Sequence, residues 1–290
     1  MNEKQNQKLK NVHWFPGHMV KATREIIERL KVIDVIIEIV DSRAPISSKN
    51  PFLEDVTNSK KRLLVFSKKD LTDDNKINMF EKYYQDKNYD TILANLNDKK
   101  DILEIIKKVQ FLGKDRQEKY LKRGMKPQPL RVMIIGIPNV GKSTLINKLT
   151  RKNAASVQNT PGHTRAQQWV RINENFELLD TPGILPPHYE DKIISQNLAL
   201  VGSIKEDILP LDELYSYLIK FLKENYPNSL NNRYKVDSSL DEHLLTEAIA
   251  KSRGLLLKGG NIDEDSAKKL VLKEFKEGLL TRVVIDDVRL

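Results

Sequence analysis

The sequence predicts an α/β domain with a mostly parallel sheet and helices on both faces, followed by a smaller α-helical domain. The division falls between residues 1–187 and 188–290. Three observations carry this reading. Strand-like runs alternate with helical patterns as far as Pro186-Pro187. One of those runs leads straight into the glycine loop Gly136–Ser143 and a helix. Beyond the paired prolines, helical patterns follow one another with few strand signals.

Each element has its own signal. Residues 18–31 carry Met19, Ile26, Ile27 and Leu30 at near-helical spacing, with Pro16-Gly17 as the turn before them. Residues 32–40 are rich in β-branched side chains and end in the turn signal Asp41-Ser42-Arg43-Ala44-Pro45. Residues 62–66 and 89–94 read as two further strands. Residues 101–112 read as a helix, with apolar positions at Ile102, Leu103, Ile105, Ile106 and Val109. The basic stretch onward to Pro127-Gln128-Pro129 reads as a connector. Residues 131–135 form a strand entering the glycine loop, a helix follows over 142–149, and 167–172 with 176–179 read as a hairpin around Asn173-Glu174-Asn175. Helices are then expected near 191–201, 211–225, 240–252 and 263–277, with 279–285 as a last strand or an extended tail.

Composition sets outer limits. With 290 residues, 39% hydrophobic and 31% charged, the chain is an ordinary soluble globular one with room for two modest domains. No run approaches the ~18 consecutive apolar residues of a membrane span. The polar segment Met1–Lys10 lacks the apolar core of a secretory signal. The absence of cysteine excludes zinc knuckles, zinc ribbons and thiol chemistry, and a cytoplasmic location is expected. The net charge of +9 is uneven. Residues 1–31 hold seven Lys/Arg against three Asp/Glu, residues 107–131 nine against two, and residues 186–290 fifteen against eighteen. Such basic clusters are either solvated faces or the footprint of polyanion binding.

The pattern Gly136-Ile137-Pro138-Asn139-Val140-Gly141-Lys142-Ser143 is a phosphate-binding loop. Gly136 and Gly141 let the backbone bend so that amides from Asn139 through Thr144, Val140 included, turn inward. The following helix aims its positive end at the same anion. Lys142 is placed to contact the β- and γ-phosphates, and the Ser143 hydroxyl to ligate magnesium. About forty residues later, Phe176–Leu179 ends in Asp180-Thr181-Pro182-Gly183. There Asp180 can hold magnesium and the Gly183 amide can meet the γ-phosphate. Between them lies Thr160-Pro161-Gly162-His163-Thr164-Arg165, where Thr164 is either a second magnesium ligand, ordered with the triphosphate, or a cap in a Pro-Gly turn.

A carboxylate can accept from guanine's ring N–H and amino group together. Ser67-Lys68-Lys69-Asp70, after the apolar run 63–66, has the shape of the element that does so, with Ser67 where Asn is usual. Asp70 reads the base and the Lys68 stem packs on its face; a plain surface turn is the competing reading. Asn95-Leu96, within Ala94–Asn97, is where a second guanine contact through backbone amides would fall. Together these select GTP/GDP over ATP. They precede the phosphate loop, the reverse of the ordinary order, so the expected fold is a circularly permuted P-loop GTPase domain. Such a rearrangement is tolerable because termini lie on the surface, often close together.

Trp14-Phe15-Pro16-Gly17-His18-Met19, the motif order, Gly136–Ser143 and Asp180-Thr181-Pro182-Gly183-Ile184-Leu185 together resemble ribosome biogenesis GTPase A, the RbgA/YlqF type of permuted GTPase. The likeness spans roughly residues 12 to 260. Ser67 and His163 depart from that family's usual Asn and aliphatic residue. The resemblance implies a monomer acting in late assembly of the large ribosomal subunit. Its partners are the subunit precursor and its rRNA, with the C-terminal helical domain touching rRNA and no membrane involved. It also implies that His18 orients the attacking water, since Ile184 stands where Ras-type enzymes keep a Gln; a helix cap or an RNA contact is the plainer role for His18. Asn139 matches relatives that use potassium at the phosphates, or is a turn residue. Asp41 and Arg43 match an Asp-x-Arg element of permuted GTPases, or simply form the turn. Competing functions are action on another RNA, such as the small subunit or tRNA, and a nucleotide-gated binding module with negligible turnover.

Overall fold

The structure, a computed structural model, describes residues 26–151, 169–172, 176–179, 191–205 and 208–287. Helical residues 26–30 lead into β1 (Val35–Asp41), α1 (Pro51–Thr57), β2 (Lys61–Ser67), α2 (Asp74–Asp86) and β3 (Asp90–Leu93). Then come α3 (Lys99–Leu112), α4 (Lys114–Lys122), β4 (Leu130–Ile135), α5 (Lys142–Arg151), β5 (Trp169–Arg171) and β6 (Phe176–Leu179). The helical part holds α6 (Lys192–Leu200), α7 (Leu211–Asn225), α8 (Asn228–Tyr234), α9 (Glu242–Arg253) and α10 (Glu264–Lys276).

The six strands lie in the order β3-β2-β1-β4-β6-β5. All neighbours run parallel except β5, which pairs antiparallel with β6 as the expected hairpin. Every residue of β1 is buried, which is why its sequence reads as an almost unbroken apolar run rather than an alternation. The side chains still obey the period of two. Val35, Ile37 and Ile39 pack beneath α3 and α5, with Ile105, Val109 and Leu145. Ile36 faces the opposite side with Leu53 of α1 and Ile26, and Val40 faces it with Ile77 and Phe80 of α2. Glu38, on that second face, is buried at 2.8 Å from the Arg62 guanidinium; burial pushes its carboxyl up, against the pull of Lys49 and Arg62.

A separate apolar cluster forms among α6–α10, around Tyr215, Leu218, Leu245, Val271 and Phe275. The chain does not stop there. Residues 280–287 return to the strand domain as an extended tail without strand pairing. Val283 N–H donates to Leu71 O (3.2 Å), Ile285 N–H donates to Arg43 O (2.7 Å), and Val284 enters the α2 core.

Four helices were not in the sequence reading. Helix α1 starts on an Asn50 cap that accepts from the Phe52 and Leu53 amides, with Pro51 at its first position. Asp73 caps α2 in the same way, and α8 follows Pro227. Helix α4 occupies what reads as a connector: it has no buried residue, so no apolar period betrays it.

Candidate functional site

In an open sheet, ligands bind outside the carboxyl ends of the strands, where the strand order reverses. Here that point lies between β1 and β4, with β2 on one side and β6 on the other. The carboxyl end of β4 runs into the phosphate loop. Gly136 sits at φ 148°, and a Cβ there would lie 2.5 Å from the carbonyl oxygen of Ile39 in β1. Gly141 sits at φ 108°, and its Cβ would lie 2.8 Å from Leu96 Cδ1. At Gly136 the β1 backbone excludes a side chain, and at Gly141 the positive φ disfavours one although the Leu96 tip can move; the tight turn the two glycines make is the expected phosphate cradle. Lys142 is buried and arches back over the loop, its ammonium donating to the carbonyl oxygen of Ile137 at 2.5 Å. Ser143 and Thr144 stand exposed in the first turn of α5, which contains no acidic residue to repel an anion.

The segment Ser67–Asp70, the expected base element, lies against this loop. Ser67, the last residue of β2, is fully buried, and its hydroxyl donates to the carbonyl oxygen of Val140 at 2.6 Å, with Val40 O at 3.0 Å. The short side chain suffices because Val140 and Ser67 are already in contact range. Lys68 adopts the left-handed backbone region (φ 59°), uncommon for a non-glycine residue, and its ammonium donates to Asp41 Oδ2 at 2.7 Å. Asp70 is exposed in the short 3₁₀ turn Lys69–Leu71, and Lys69 N–H donates to Ala94 O at 3.3 Å, joining the turn to the second loop. In that loop Leu96 is buried against the Gly141 side, while the Asn95 amide is taken by the Asp101 carboxylate at 2.7 Å. Ser67, Lys68, Asp70, Asn95, Leu96, Asn139, Val140, Gly141, Lys142, Ser143 and Thr144 thus share one edge of the sheet. His18, Thr164, Asp180 and Gly183 lie outside the described residues.

Asp41 and Arg43 form more than a turn. Both are buried, and Arg43 donates through Nε and one terminal nitrogen to the Asp41 carboxylate at 3.0 and 2.8 Å. The rest of its fork donates to Val201 O (3.1 Å) and Lys276 O (2.8 Å) in the helical region. Burial alone would raise the Asp41 carboxyl; the charges and hydrogen bonds of Arg43 and Lys68 outweigh it and hold Asp41 well below the usual carboxylate range. The contact of Asn139 with Gly202 O, at 2.8 Å, was likewise invisible in the sequence.

Among the described residues, no helix is long and apolar enough to cross a membrane. Residues 131–236 match the family model described as 50S ribosome-binding GTPase. Ribosome biogenesis GTPase A of Bacillus cereus is 42% identical over 276 residues, covering 95% of this chain and 93% of its own length. The counterpart of Bacillus licheniformis is 40% identical, over 91% of this chain and 94% of its own. A GDP-bound YlqF structure superposes with a TM-score of 0.70 at 23% identity, over 91% of this chain and 99% of that one, which shows the permuted fold. With relatives matched along nearly their whole length and the permuted fold in place, the chain belongs to the ribosome biogenesis GTPase A family and is a GTP-binding GTP hydrolase.

Proposed function

We propose that this GTPase assists late assembly of the large ribosomal subunit, binding the precursor particle and its rRNA in the cytoplasm as a monomer. The observation that carries it is the near-complete match to curated ribosome biogenesis GTPases, in a chain whose base element and phosphate loop meet through Ser67 and Val140.

In this reading Asp70 accepts from the guanine ring N–H and amino group, the Lys68 stem covers the base, and the Leu96 backbone amide offers the second guanine contact, the Asn95 amide being taken by Asp101. The amides of Asn139 to Thr144 and the Lys142 ammonium hold the β- and γ-phosphates. The glycine cradle and the acid-free first turn of α5 fit a magnesium–triphosphate. Ser143, Thr164 and Asp180 are the residues that would hold magnesium, which supplies charge neutralisation between the β- and γ-phosphates. The Gly183 amide meets the γ-phosphate. His18 accepts a hydrogen bond from the attacking water and aligns it. Asn139 offers its Oδ1 as a potassium ligand at the phosphates. With Ile184 where Ras-type enzymes keep a Gln, hydrolysis alone is slow and the particle is the activator.

The test is GTP turnover with and without large subunits, alongside cosedimentation. Stimulation by large but not small subunits is expected, with His18→Ala keeping GTP affinity while losing the stimulated rate. Equal turnover with and without large subunits, or cosedimentation with small subunits instead, overturns the reading.

A further inference from the structure

The mostly neutral-to-acidic helical region is a poor source of phosphate contacts, and the structure shows where the positive charge sits. Helix α3 starts at the nucleotide edge and runs back along the sheet. Its C-terminal end and α4 therefore lie at the opposite pole, beside the amino ends of the strands. Two ion pairs fix that placement: Arg116 with Asp34, just before β1, and Lys61, the first residue of β2, with Asp115 at 2.6 Å. The seven residues of β1 put this pole about 20 Å from the phosphate loop.

Helix α4 is nine residues long, has no buried side chain, and residues 121–128 are all exposed. A helix this short is marginal in water without an apolar face to bury, so packing does not explain its composition. Lys119, Lys122, Arg123 and Lys126 make no ion pair among the described residues. At the end of α3, immediately before α4 in the chain, Phe111 is 72% exposed, one helical turn from Lys107. A cleft of about 440 Å³ at Lys61, whose ammonium holds Asp115 of α4, is lined by Lys60, Arg62 and Lys87 together with Glu54 and Asp90.

We propose that this pole, centred on Lys119, Lys122, Arg123 and Lys126 with Phe111 as a stacking platform, is an RNA-docking face. The lysines and arginine would neutralise backbone phosphates and Phe111 would receive an unpaired base. The charge complementarity favours RNA over an anionic membrane, because α4 has only Tyr120 and Leu121 as apolar residues and no continuous apolar face. The proposal rests on the ribosomal reading above and adds which surface makes the contact. It leaves the nucleotide edge uncovered by this contact.

The experiment uses the full chain and titrates binding to large ribosomal subunits against potassium chloride. Lys119→Ala/Lys122→Ala/Arg123→Ala/Lys126→Ala is compared with Lys220→Ala/Lys235→Ala/Lys258→Ala, exposed lysines of the helical region. The first variant is expected to flatten the slope of log K against log salt by about 3. GTP affinity and unstimulated turnover should stay as in wild type. Phe111→Ala should weaken binding about tenfold with the slope unchanged. Wild-type binding with an undiminished slope in the α4 variant, or a loss that follows the helical-region lysines, overturns the docking face while leaving the ribosomal reading intact. Failure of wild type to bind large subunits overturns both. Capture by phosphatidylserine vesicles through the same four residues, without RNA binding, also overturns it.

Discussion

The side-chain amide of Asn139, in the phosphate loop, donates to the carbonyl oxygen of Gly202, in the turn after α6, at 2.8 Å. The preceding carbonyl, that of Val201, accepts from Arg43. One turn of the helical region is therefore gripped by two loops of the strand domain. One of those loops is the phosphate cradle, and the other is tied through Asp41 to Lys68 of the base element. Any rearrangement of Asn139 or Lys68 around a nucleotide acts directly on residues 201–202.

Amide hydrogen exchange reports this coupling. Adding a non-hydrolysable GTP analogue should change protection across residues 199–204 in wild type. In Asn139→Ala the change should be strongly reduced, although nucleotide still binds. An unaltered response in the variant would mean that the turn does not sense the loop.

Arg43 serves three acceptors from a buried position, so replacing it with Met leaves the Asp41 carboxylate underground with only Lys68. A loss of about 3–5 kcal/mol is expected in urea unfolding at neutral pH. The pH profiles should also differ in sign. In wild type Asp41 is held below its unfolded value of 3.8, so its contribution is full above that value and fades as pH falls below it. Without Arg43, burial dominates and raises the carboxyl. The variant should then regain stability as pH falls, where wild type loses it. Parallel profiles for the two proteins would show that the pair is not coupled as drawn.

The central strand β1 was legible because it is a β-branched run buried on both faces, β2, β4 and β6 because they are short apolar runs, and the phosphate loop because its glycines are required by geometry. Helices α1 and α8 escaped because seven residues are too few to show an apolar period, α2 because only Ile77, Phe80 and Tyr84 of its thirteen residues are buried, and α4 because it buries nothing. In the site, spacing named candidate residues but not whom they touch. Ser67 reads as a weak stand-in for Asn; its closeness to Val140, 73 residues on, depends on strand order. Asp41 and Arg43 read as turn formers, and they do form the turn, through the Arg43 amide on Asp41 Oδ1 at 3.0 Å. Their reach to Val201 and Lys276 is a property of how the helical region docks.

The two loop glycines should fail differently. A Cβ at Gly136 meets the backbone of β1, which cannot retreat without breaking its ladder. Gly136→Ala should therefore lose about 2 kcal/mol or more of stability and all measurable nucleotide binding. At Gly141 the Cβ meets the end of the Leu96 side chain, which can rotate away. Gly141→Ala should remain folded, with weakened nucleotide affinity from the strained φ. Thermal unfolding and fluorescent-nucleotide titration separate the cases, and equal stability of the two variants would contradict this assignment of contacts.

Ser67 and Asp70 should likewise separate affinity from selectivity. Ser67→Ala leaves the Val140 carbonyl without its 2.6 Å partner, at a cost of about 1–2 kcal/mol, and loosens the loop. GTP and XTP should then weaken together, roughly tenfold, because nothing that reads the base has changed. Asp70→Asn replaces a double acceptor with one donor and one acceptor. Guanine then faces its amino group with an N–H, whereas xanthine presents a carbonyl there and keeps the ring N–H. GTP affinity should fall about 100-fold and XTP affinity should rise. Competition of both triphosphates against a labelled GDP gives the two ratios directly. A Ser67→Ala variant with altered base preference, or an Asp70→Asn variant without it, would exchange the roles assigned to these residues.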